Sequence, residues 1–74
     1  MKVSTGPDIR YGCEMSDGKK FNGSLRAVAK NAALYTHRNG AQVIDWIAPG
    51  RTQTTRRQRQ KTLRSKYTEE FDRL

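Results

Sequence analysis

The sequence predicts a small α+β fold: an antiparallel sheet of about three strands, in the order hairpin, helix, strand, with one helix, followed by a basic, mobile C-terminal tail. Three observations carry this reading. Ile9, Tyr11, Cys13 and Met15 alternate with Arg10, Gly12 and Glu14, the period of a half-buried strand. Leu25, Val28, Ala29, Ala32 and Tyr35 recur at helical spacing. The apolar residues also divide unevenly at Pro49-Gly50, the strongest break signal in the chain. Residues 1–50 hold 21 of the 25 hydrophobic residues, and residues 51–74 hold four. The division gives a body at 1–50 and a tail at 51–74.

Within the body, Ser16-Asp17-Gly18 turns the chain after the first strand. A two-residue Asp-Gly turn would place Phe21 opposite Glu14, on the polar face. A three-residue loop with Gly18 in the left-handed conformation instead pairs Cys13 with Phe21 and Glu14 with Lys20. The second register buries Phe21 and sets opposite charges across the strands, so it is preferred. Asn22-Gly23 ends the second strand, and Ser24 offers a helix N-cap. The helix is expected over 24–38, with His37 and Arg38 in its last turn, where cations suit the dipole. Asn39-Gly40 supplies the stop. Its buried stripe is rich in alanine and can lie close on a sheet. Residues 41–48, centred on Gln42-Val43-Ile44-Asp45-Trp46-Ile47, favour a third strand. Lys2-Val3-Ser4 offers a short edge strand before Gly6-Pro7.

The tail changes character along its length. Arg51 to Gln60 contains no hydrophobic residue and cannot fold by burial alone. Leu63, Tyr67, Phe71 and Leu74 then fall on one helical face, with Thr54 or Thr55 as a cap. Glu69, Glu70 and Asp72 stand near the C-terminus, where the dipole disfavours acids. An isolated helix of this length is marginal in water. The expectation is a mobile tail that becomes helical on a partner; the alternative is docking of Leu63, Tyr67 and Phe71 on the body.

Fifteen Lys and Arg oppose seven Asp and Glu, a net charge of +8. Seven of those bases and no acid fall within residues 51–66. An anionic partner is therefore expected. The candidate binding residues are Arg51, Arg56, Arg57, Arg59, Lys61, Arg64 and Lys66 in the tail, with Arg10, Lys19 and Lys20 in the body. Arginine-rich segments of this kind bind RNA or the DNA backbone and can fold on it, each neutralised phosphate adding a salt-dependent increment.

Other function classes find little support. There is no apolar run long enough to span a membrane, and Met1 to Pro7 has no apolar signal core. A cytoplasmic protein, in a bacterial host cell, is the expectation. One cysteine and one histidine make neither an internal disulfide nor a four-ligand zinc site. The glycines are scattered at turns and form no phosphate-cradling loop. Cys13 reads as a small buried hydrophobe and His37 as a surface residue at a helix end. Trp46, Tyr11 and Tyr35 read as core. Ser24, His37 and Asp45 show no spacing that supports a catalytic set, and the body is too small to enclose a pocket of the usual size. No enzyme activity, cofactor or small-molecule substrate is expected, and the chain is expected to be monomeric.

The layout, a compact strand–helix body from Lys2 to Pro49 followed by a polar, basic tail from Arg51 to Leu74, resembles the small basic regulators that lytic bacteriophages make to control host RNA polymerase. It is similar in size and plan to the Xanthomonas-phage type that both blocks initiation and prevents termination. The resemblance implies bacterial RNA polymerase as partner, a weakened grip of the polymerase on its initiation factor or promoter, and antitermination. Contact with nucleic acid would be secondary.

Two readings follow. In the first, preferred on the resemblance, the body binds polymerase, and the hairpin edge or the segment before Ile9 extends a strand of the partner. In the second, the chain binds RNA or DNA directly through its arginine-rich tail. A single face joining Lys19, Lys20, Arg26 and Lys30 to the tail would favour direct binding. A face broken by apolar residues or by Asp8, Asp17 and Asp45 would favour the polymerase reading.

Overall fold

The computed structural model describes residues 10–74. The expected edge strand at Lys2-Val3-Ser4, the start of the first strand at Ile9, and Asp8 lie outside the described residues. The fold is α+β. Strand β1 (Tyr11–Met15) and β2 (Lys20–Gly23) form a hairpin, helix α1 (Leu25–Asn39) follows, then β3 (Val43–Ile47) and a second helix, α2 (Gln53–Asp72). The sheet is antiparallel in the order β2-β1-β3.

The hairpin adopts the three-residue-loop register, Cys13 opposite Phe21 and Glu14 opposite Lys20. Gly18 sits at φ 98°, a conformation that costs a side-chain-bearing residue energy. The Asp17 carboxylate holds the turn by accepting the Lys19 amide (3.0 Å) and the Tyr35 hydroxyl of α1. Ser24 caps α1 by accepting the Ala27 amide at 3.2 Å, and Gly40 closes it in the left-handed region. The bounds differ from the expected helix by one residue.

Tyr11, Cys13 and Met15 share one sheet face with Phe21 and Trp46, their cross-strand neighbours. Val28, Ala29 and Ala32 of α1 and Leu63 of α2 close over that face, and together with Cys13 and Met15 they form the buried core. The opposite face carries Glu14, Lys20, Asn22, Asp45 and Ile47. Strand β3 is shorter than the expected 41–48 and is bulged: Asp45 faces Glu14 and Val43 faces Met15, leaving Ile44 as the extra residue. Ile44 is thereby turned out, 62% exposed. Tyr11, Tyr35 and Trp46 are half-buried against the core rather than enclosed in it.

The expectations of one helix and of a mobile tail are corrected. Residues 53–72 form a 20-residue helix capped by Thr52, whose hydroxyl accepts the Thr55 amide, not by Thr54 or Thr55. Burial explains the difference. Leu63 is completely buried, which stabilises by roughly 1.5–3 kcal/mol. Tyr67 packs edge to face on Trp46, and its hydroxyl donates to Thr36 Oγ1 at 3.2 Å. The alanine stripe of α1 lets the helices approach closely. The acids near the C-terminus are offset locally: Lys66 lies 3.5 Å from Glu69 and 3.8 Å from Glu70, and Arg73 lies 4.0 Å from Glu70. Phe71 and Leu74, the outer half of the apolar face, remain exposed.

Candidate nucleic-acid interface

The basic residues of α2 separate by what their helical positions face. At 3.6 residues per turn, Arg57, Lys61 and Arg64 fall within about 60° of arc, on the flank turned toward β3. Together with Ile44 and Trp46 of β3 they line a groove of about 640 Å³, with Thr54, Gln58 and Gln60 also on its helix side. The Gln60 side-chain amide donates to the Trp46 carbonyl, fixing the helix against the strand at the groove's base. Asp45 is the acid in its lining. Among the described residues, Arg57, Lys61 and Arg64 form no ion pair or side-chain hydrogen bond.

The remaining tail candidates are placed otherwise. Arg56 Nε donates to the Gly50 carbonyl at 2.9 Å, and Arg59 Nη1 to the Pro49 carbonyl at 3.2 Å. These two guanidinium groups tie the start of α2 to the corner it leaves. Gly50 is required there by close approach, because a Cβ at that position would meet Arg56 Cγ at 2.9 Å. Lys66 is engaged with the two glutamates. Arg51 is exposed just before the helix.

The body candidates do not join this groove. Lys20 lies on β2, the far edge of the sheet from β3, opposite Glu14. Lys19, in the adjoining turn, places its Nζ 5.7 Å from the centroid of the Phe21 ring, a cation–π distance. Arg10 is exposed immediately before β1. Asp17 stands in the Lys19 turn and Asp45 in the groove lining, so Lys19 and Lys20 are not continuous with the groove cations. Sequence reasoning read Trp46 as core, with an exposed recognition anchor as the alternative, and did not single out Ile44, which lines the groove beside it.

Burial pushes the Cys13 thiol up to about 11, the opposite of an activated nucleophile. Hydrogen bonding from Tyr35, and then from the Lys19 amide, lowers the Asp17 pKa, and the same Asp17 interaction raises that of Tyr35. Among the described residues no cluster of His, Cys, Asp and Glu could hold a metal, and no helix is long and apolar enough to cross a membrane. Comparisons with family models, with curated proteins and with solved structures find no match to this chain.

Proposed function

We propose that this chain binds nucleic acid, in the cytoplasm of a bacterial cell, through the β3-facing flank of α2. The observation that supports the reading is the division of labour among the tail cations. Arg56, Arg59 and Lys66 are engaged by the chain itself, whereas Arg57, Lys61 and Arg64 line one groove and have no side-chain partner among the described residues. Phosphate contacts from such residues dominate affinity and make it salt-dependent. Arg57→Gln, Lys61→Gln and Arg64→Gln combined should leave the fold intact. The slope of log K against log salt should flatten by about 0.7–0.9 for each phosphate no longer neutralised. An unchanged slope in the folded variant would refute the reading.

The second reading is a regulator that binds bacterial RNA polymerase and inhibits initiation or prevents termination. It is favoured by the interruption of the positive surface: Asp17 and Asp45 stand among the cations, and Lys19 and Lys20 lie at the far edge of the sheet. Direct binders usually present one electrostatic footprint. Capture from nuclease-treated bacterial lysate separates the two, since recovery of polymerase without nucleic acid supports the second reading alone.

A further inference from the structure

We infer that the groove between β3 and α2 takes single-stranded nucleic acid, with phosphates along Arg57, Lys61 and Arg64 and an unpaired base against Trp46 and Ile44. The inference deepens the nucleic-acid reading and rests on it. Three features of the groove support it. Its cations follow one line, since Arg57 to Arg64 spans about 10.5 Å of helix at 1.5 Å per residue, the layout of a rail for one backbone. Its β3 side presents Ile44 and Trp46 on either side of Asp45, and Ile44, left unpaired by the bulge, is 62% exposed. Its cations and its β3 side face each other across one cleft. A duplex presents phosphates to such a rail but keeps the faces of its bases stacked. An unpaired strand offers both, and sites for single strands combine a positive groove with an aromatic platform. Gln58 and Thr54 on the rim supply polar groups for base edges. The ligand chemistry is shared by single-stranded DNA and RNA.

Trp46 is the chain's only tryptophan and lines the groove, so its fluorescence reports on this side of β3. The probes are a thymidine dodecamer, a uridine dodecamer and a mixed-sequence duplex of the same length, titrated at about 50 mM salt. Either single strand should quench Trp46 and bind at least tenfold more tightly than the duplex. Ile44→Ser, an exposed change that spares the core and adds no charge, should weaken single-strand binding severalfold and leave duplex binding unchanged. Trp46→Leu should do the same, read by polarisation of labelled probe. Duplex binding that is equal or tighter, or binding without quenching, would overturn this inference and leave the nucleic-acid reading standing. Single-strand binding unaffected by Ile44→Ser would also overturn it. No binding by any probe at low salt would overturn both.

Discussion

Trp46 and Tyr67 meet edge to face, with ring centroids 5.1 Å apart and planes inclined at 61°. One comes from the last strand and the other from the last helix, so the pair ties residues after Pro49-Gly50 to the sheet. Such pairs contribute about 0.5–1.5 kcal/mol beyond their area. A double-mutant cycle with Trp46→Leu and Tyr67→Leu, followed by urea denaturation, should return a coupling energy in that range. Additive effects would show that the rings merely share a neighbourhood.

Leu63→Ala should destabilise the fold by about 2–5 kcal/mol, since it opens a cavity beneath a fully buried side chain. A chain ending at Gly50 should lose its cooperative thermal transition, because it uncovers the α1 alanines and the Trp46 edge. Far-ultraviolet circular dichroism against temperature checks both. A sharp transition in the truncated chain would show that α2 is an accessory to the core.

Arg59→Gln removes a half-buried bond to the Pro49 carbonyl and should cost about 0.5–1.5 kcal/mol. Arg57→Gln, on an exposed position, should change stability by less than about 0.5 kcal/mol. The same two variants should rank in the opposite order in nucleic-acid affinity at low salt. Equal rank in both measurements would erase the distinction between anchoring and binding arginines.

The Asp17–Tyr35 hydrogen bond should leave two marks on stability against pH. Asp17 titrates below its ordinary value, so its contribution is present above the unfolded pKa of about 3.9. It fades as pH falls through the folded value. Tyr35 titrates above its ordinary value. Its contribution is present below about pH 10 and fades as pH rises through the folded value. Urea midpoints across both limbs should show these losses in the native chain and much smaller ones in Tyr35→Phe. Matching profiles would sink the assignment.

Cys13, buried and with its thiol pushed up to about 11, should resist a neutral disulfide reagent in the folded protein. It should react at the rate of unfolding. Rapid modification at pH 8 would mean that the hairpin opens locally.

The hairpin was legible because two residues decide it: Phe21 must reach the apolar face and Lys20 must meet Glu14, and only one loop length satisfies both. Ser24 and Gly40 marked the ends of α1 for equally local reasons. The tail was less legible. Its apolar face was visible as Leu63, Tyr67, Phe71 and Leu74, yet the partner for that face is the alanine stripe of α1, and no local pattern says that two helices far apart in sequence will meet. Nor does a run of arginines reveal which ones will turn back to backbone carbonyls. Arg56 and Arg59 look like Arg57 in sequence and differ only in where the Pro49-Gly50 corner lies.

Among the described residues β2 and β3 are the outer strands, and an outer strand exposes a row of carbonyl and amide groups on which a second copy can add. On the β3 side, the Gln60 amide occupies the outward Trp46 carbonyl and α2 lies alongside. On the β2 side the strand is only four residues long and begins with an exposed lysine, two features that discourage growth of the sheet. The hydrogen bond that holds the last helix in place therefore also occupies an acceptor on the β3 edge, and replacing Gln60 would free that acceptor and loosen the helix in one step.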